Sequence, residues 1–177
     1  MLILGLFFIS IIFRGAIYRS VITYESVSIR NNYNIYNKQL INLIDEEIKD
    51  KNNLSEKDII KIGLKITNKQ LNFTASNNDL DPNKLVESKT AHCVGYSYFC
   101  ASVCNYIFEK QDINDVWVAK PRVGKLFLLG NNIHQYFNSS FFKDHDFVTI
   151  ENKKTGEIFA IDPSLNDYLY INYVKFR

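Results

Sequence analysis

Apolar and polar positions alternate with changing period along the chain, and the changes divide it into an N-terminal run, a group of helices and a group of strands. Residues 2 to 13, Leu-Ile-Leu-Gly-Leu-Phe-Phe-Ile-Ser-Ile-Ile-Phe, carry no charge and show no polar face. As a helix this run spans ~18 Å, short of a ~30 Å hydrocarbon core. Continued through Arg14 and Arg19 to Tyr24, it reaches the needed length, with arginines that snorkel. No basic segment precedes the run and no small-residue cleavage site follows it. An uncleaved anchor, an unusual signal segment and an ordinary buried helix all remain open. The first two imply a membrane-anchored or exported protein with membrane contact through residues 2 to 24. The third implies a cytoplasmic one.

Residues 14 to 37 form a polar, Tyr- and Asn-rich connection without a clear period, read as partly extended. Leu40, Ile41, Leu43, Ile44 and Ile48 then recur at helical spacing and predict an amphipathic helix that ends near Asp50–Asn53. Ser55, followed by Glu56 and Asp58, is an N-cap with an acidic first turn. It opens a second helix, carried by Ile59, Ile60, Ile62, Leu64 and Ile66 to about Leu71 and weakened by Gly63. Turn residues from Thr74 to Pro82 predict a loop, and a short helical turn over Asn83–Glu87 delivers the chain to Cys93. From Cys93 to Phe108 small and apolar residues occupy most faces, the pattern of a helix buried in the domain centre.

Strand signals follow. Val116–Ala119 is the first of them, and residues 121 to 143 then break the pattern with Pro121, Gly124, Gly130 and a cluster of aromatics, which reads as a long insertion. Two strands flank the polar turn Asn152–Gly156, and Tyr168–Phe176 has the aromatic and β-branched content of a last strand. Helices first and strands afterwards predict an α+β domain around an antiparallel sheet. The divisions are 1–24 for the apolar segment, 25–54 for the connection and amphipathic helix, and 55–177 for the main domain.

Charge adds little. A net charge of +2 with no Lys/Arg cluster excludes a nucleic-acid surface. Cysteine adds more. Cys93, Cys100 and Cys104 are odd in number, so no complete disulfide framework is written here. Their spacing of seven and four residues puts all three on one helical face. Without a CxxC pair or a second ligand group, zinc is excluded as a reading. Cys100 and Cys104 read as buried packing. Cys93 differs because it opens the helix, where free N–H groups and the dipole favour a thiolate. The same N–H groups suit a developing oxyanion. Gly95 serves either close backbone approach or packing.

A thiol becomes a useful nucleophile when an imidazole takes its proton and a carboxylate holds that imidazole. His145 opens one predicted strand and Asp162 closes the next. If 145 pairs with 162, then 151 pairs with 156 around a four-residue loop at 152–155, and the two side chains meet across the hairpin. His134 lies in the insertion and is a rival base. His92, adjacent to Cys93, reads as lining the cleft or capping the helix. Asp144 and Asp146 alternate to the opposite sheet face and are poor orienting groups.

These phrases, Ala91-His92-Cys93-Val94-Gly95-Tyr96-Ser97, then His145-Asp146-Phe147-Val148-Thr149-Ile150, then Ile161-Asp162-Pro163-Ser164, resemble the transglutaminase-like superfamily of papain-fold cysteine enzymes. The likeness covers roughly residues 55 to 165, including the approach Asp81–Lys89. Phe147 stands where a tryptophan is usual, His92 is bulky for its place, and residues 121–143 depart from a strand with a short return. The resemblance implies a papain-like/transglutaminase-like α+β fold, with N-terminal helices and a central Cys-bearing helix packed on an antiparallel sheet. It also implies a Cys93–His145–Asp162 triad acting on amide bonds of a protein or peptide substrate, hydrolytically or by acyl transfer, most simply as a peptidase, with no cofactor. The superfamily also contains inactive relatives, so a module that binds peptide or glycan at a membrane surface is the alternative.

Overall fold

The computed structural model describes residues 11–177. It is an α+β arrangement with six helices among the described residues and an antiparallel main sheet. The helices are α1 (Arg14–Val21), α2 (Lys38–Ile48), α3 (Glu56–Gln70), α4 (Pro82–Ser88), α5 (Cys93–Lys110) and α6 (Pro163–Leu169). The strands are β1 (Ile22–Ile29), β2 (Asn72–Phe73), β3 (Thr90–Ala91), β4 (Trp117–Leu128), β5 (Asn131–Asn132), β6 (His145–Asn152) and β7 (Ile158–Ile161). The main sheet runs β1-β4-β6-β7, with β5 also on β4, while β2 and β3 form a separate parallel pair.

The helical half follows the apolar periodicity. Asn37 caps α2 by accepting from the N–H groups of Gln39 and Leu40, and Leu40, Ile44 and Ile48 face the core. Ser55 and Asp58 form a reciprocal capping box at the start of α3. Helix α5 is buried along most of its length, from Cys93 to Phe108, and packs against both α3 and the sheet. Gly63 of α3 explains how close the two helices come: a Cβ there would lie 2.4 Å from Cys104 Sγ. Gly63→Ala should therefore lower stability by about 1–2 kcal/mol, because overpacking outweighs the gain in helix propensity. Urea unfolding measures this. Adding Cys104→Ala, which removes the clashing sulfur, should return part of the loss.

Three expectations need correction. The first concerns the connection after the N-terminal run, whose extended part is a full sheet strand over residues 22–29, paired with β4 except at an irregularity between Ser26 and Ser28. Its alternation was hidden because its one buried residue is Tyr24, which carries a hydroxyl. Helix α1 ends at Val21, where Ile22 turns to extended backbone, so no helix continues to Tyr24. Arg14 instead donates to the carbonyls of Leu169 and Tyr170. The apolar run itself lies outside the described residues over positions 1–10. No helix among the described residues is long and apolar enough to cross a membrane.

The second correction concerns residues 121–143. Strand β4 continues unbroken through Pro121 and Gly124 to Leu128. Pro121 is tolerated because its carbonyl, and hence the side of its missing N–H, faces the end of β1, where Arg30 N–H bonds it. Gly124 is a packing requirement: a Cβ there would lie 2.4 Å from the Phe147 ring and 2.6 Å from the Glu25 carbonyl oxygen. Only after Leu129 and Gly130, both with positive φ, does the chain become irregular, with two short 3₁₀ turns at Ile133–Tyr136 and Ser140–Phe142.

The third correction is at the C-terminus. Tyr168 does not open a strand. Asp162 and Pro163 form an N-cap and first helical residue, so α6 starts there and ends at a left-handed Tyr170. The remainder touches the sheet through two isolated bridges, Val174 to Ala160 and Phe176 to Tyr24.

Candidate active site

The segment before Cys93 is fixed from both sides. Lys89 adopts a left-handed conformation after α4, and β3 then pairs with β2 through Asn72 N–H to the Lys89 carbonyl and Thr74 N–H to the Ala91 carbonyl. His92 caps α5, its Nδ1 accepting from Val94 N–H at 3.3 Å. Gly95 has a packing role, since a Cβ there would lie 2.7 Å from Ala91 Cβ. These contacts place Cys93 as the first residue of α5, with 9% of its surface exposed. Cys100 and Cys104 are fully buried, with their sulfurs facing Gly63 of α3.

His145 opens β6 and Asp162 follows β7, but the register between them differs from the expected one. Val148 pairs with Ile161 and Glu151 with Ile158. The turn closes through Asn152 N–H to the Glu157 carbonyl. The pairing is displaced by two residues, and a two-residue displacement keeps every side chain on its face. His145 therefore still reaches Asp162, diagonally, with Nε2 2.6 Å from Oδ2.

Asp162 is 1% exposed and has four hydrogen-bond partners. Oδ2 accepts from Tyr24 O–H at 2.8 Å and faces His145 Nε2. Oδ1 accepts from Ser164 O–H at 2.7 Å and from Leu165 N–H at 3.0 Å. The Tyr24 hydroxyl also meets that of Tyr18 at 2.8 Å. Tyr24 and Tyr18 were not found by sequence reasoning, because 138 residues separate Tyr24 from Asp162 and no spacing rule links them. Ser164 had a signal: it lies in the first turn of a helix capped by Asp162.

The charges follow from these contacts. Burial works against ionisation of Asp162, but the charge and hydrogen bond of His145, with Leu165 N–H and Ser164 O–H, outweigh it and hold the carboxyl below its ordinary value. Burial likewise works against the imidazolium, yet Asp162 and then Cys93 raise His145 well above 6.5. Burial and the Asp162 charge keep Tyr24 protonated, so it remains a donor. With Nε2 held by the carboxylate, Nδ1 is the ring nitrogen left to serve Cys93, which lines the same cavity.

The other candidates have other positions. His134 is buried, with Nε2 accepting from Leu126 N–H at 3.0 Å and Nδ1 2.7 Å from the Phe142 carbonyl oxygen. Both nitrogens are thus occupied by backbone, and burial lowers its pKa, so it pins the loop as a neutral ring. His92 is the helix cap, and burial lowers its pKa also. Asp146 is fully buried and ion-paired to Arg30. Asp144 lies exposed at the rim of the cavity beside His145.

Two cavities meet at His145. One, of about 210 Å³, contains Cys93 and His145 and is walled by Phe73, Leu126, Ile133, Phe137, Phe141 and Phe142. The other, of about 250 Å³, reaches His145 and Asp162 from the side of Tyr18, Tyr24 and Tyr168 and does not include Cys93. A thiol at a helix N-terminus thus shares a cavity with an imidazole that has one free nitrogen and is held by a saturated carboxylate. This arrangement can move a proton between sulfur and a bound group. No family model, no curated protein and no solved structure matches the chain.

Proposed function

We propose that the chain is a cysteine hydrolase or acyltransferase acting on amide bonds, a peptidase-like member of the transglutaminase-like superfamily with a papain-like fold. The observation that carries this reading is His145 shared between Cys93 in one cavity and a buried Asp162 whose four partners leave it no other task. The Cys-bearing central helix packed on an antiparallel sheet is in keeping with it.

In this reading Cys93 gives its proton to His145 Nδ1 and Sγ attacks the carbonyl carbon of the substrate amide. A C–S bond forms and the carbonyl electron pair moves to oxygen, beside the N-terminal N–H groups of α5. Val94 N–H is engaged by His92, which leaves the other first-turn N–H groups of α5 as donors. The electron pair returns, the C–N bond breaks, and the proton on His145 Nδ1 passes to the leaving nitrogen. Water or an acceptor amine then attacks the thioester and gives a proton to His145. The C–S bond breaks and the thiolate is restored. Tyr24 and Ser164 act only through Asp162, which they hold in place.

The test is selective alkylation. Iodoacetamide at pH 6 should label Cys93 ahead of Cys100 and Cys104, and His145→Ala should slow that labelling by about 10²-fold, the lower end of what a positioned proton partner contributes. Burial alone would favour Cys93 over the other two thiols, so the His145 variant is the decisive arm. If its labelling rate matches that of the parent, the imidazole does not act on the thiol. A protein that only binds peptide or glycan is then the better description.

A further inference from the structure

We infer that the cavity beside Cys93 takes a single bulky apolar side chain, aromatic or branched aliphatic, carried on the acyl side of the scissile amide. This rests on the proposed reading of Cys93 as nucleophile and adds the substrate class. Once Sγ has attacked, the acyl carbon is bonded to Cys93, so its substituent occupies the cavity into which that sulfur opens. The leaving nitrogen takes its proton from His145 and departs toward the second cavity, which contains His145 and Asp162 but not Cys93.

The walls of the first cavity select for apolar chemistry. Six of its residues are Phe73, Leu126, Ile133, Phe137, Phe141 and Phe142. His134 also lines it, but backbone groups occupy both ring nitrogens, so it offers no free donor or acceptor. Apart from the reacting pair Cys93 and His145, the one charged side chain is Asp144, exposed at the rim, which disfavours an acidic group. Phe137 and Phe142 are 40% and 47% exposed, stacked on each other at 5.0 Å between ring centres. Exposed aromatics clustered at a site mark a binding surface. The 3₁₀ turns that carry them are held by the His134 bonds to Leu126 and Phe142, so the wall is formed before a ligand arrives. The volume of about 210 Å³ lies below that of a site for a whole drug-sized ligand and suits one side chain.

A series of N-blocked aminoacyl chloromethyl ketones tests this, with the rate of Cys93 alkylation read by mass spectrometry. Phenylalanyl and leucyl ketones should react about 10- to 100-fold faster than the glycyl ketone, the range expected for burying one such side chain. The glutamyl ketone should be the slowest. Phe142→Asp, at a half-exposed position that tolerates the change, should shift the preference toward a lysyl ketone. Equal rates across the series, or a preference unmoved by Phe142→Asp, overturn the inference while Cys93 remains a reactive thiol. An unbranched octyl chloromethyl ketone that outruns the phenylalanyl one also overturns it, in favour of a linear acyl chain. If no probe, iodoacetamide included, labels Cys93 ahead of the two buried cysteines, the proposed function fails first.

Discussion

Cys93→Ala is expected to reduce amide hydrolysis or acyl transfer by about 10³-fold or more while leaving the fold intact. The substrate for the measurement is a chromogenic amide with a phenylalanyl acyl group. The size of the effect follows from covalent catalysis: without Sγ no thioester forms, and His145 has no nucleophile to exchange a proton with. The small structural effect follows from position. Cys93 stands at the open end of α5, and its side chain lines a cavity instead of filling a packed interior. Urea unfolding should therefore give nearly the parent midpoint with the parent slope. Cys100→Ala and Cys104→Ala should show the reverse pattern. Both sulfurs are fully buried, so these variants lose stability and keep measurable activity. A Cys93→Ala protein that retains full activity would remove the nucleophile from the mechanism.

The contrast among the three thiols shows what could be read from residue order alone. Helix α5 was legible because an apolar run with small residues at its start has one simple solution, a helix buried on most faces. The capped start of α3 was legible for the same local reason. Cys93, His145 and Asp162 could be singled out as candidates because each stands at the end of an element, where local pattern and chemistry coincide. Strand β1 was not legible, since Tyr24 enters the core with its hydroxyl aimed at a carboxylate supplied from the far end of the chain. Strand β4 was obscured by Pro121 and Gly124, which are read as breaks when their neighbours are unknown. In the sheet, each answers to a neighbour: the end of β1 for Pro121, the Phe147 ring for Gly124. The hairpin register was missed by two residues because four-residue loops at 152–155 and 153–156 both satisfy turn chemistry. Pairing of Val148 with Ile161 decides between them, and this also buries both side chains.

Asp162→Asn should have the second large effect, and its signature lies in the pH dependence. Asparagine keeps the shape and can still accept from Ser164 and Leu165. Its amide then faces Tyr24 and His145, where it donates to Nε2 instead of accepting from it. The imidazole is driven to the tautomer with hydrogen on Nδ1, which cannot take a proton from Cys93, and activity should fall by about 10⁴-fold. Removing one member of a buried ion pair also costs stability, about 3–5 kcal/mol. In the parent, Asp162 is held below its ordinary 3.8, so its contribution is present above that value and is lost as pH falls through the lower native one. His145 is raised above its ordinary 6.5, so its contribution is complete below 6.5 and is lost as pH rises through the native value. The parent should therefore exceed the variant most between about pH 3.8 and 6.5, with the gap narrowing on either side. In the variant burial opposes the imidazolium and only Cys93 still favours it, so the His145 titration should move down from that of the parent. Urea unfolding from pH 4 to 9, together with NMR titration of the His145 ring protons, measures both quantities. An unchanged His145 titration in Asp162→Asn, with activity retained, would show that the carboxylate neither charges nor orients the imidazole.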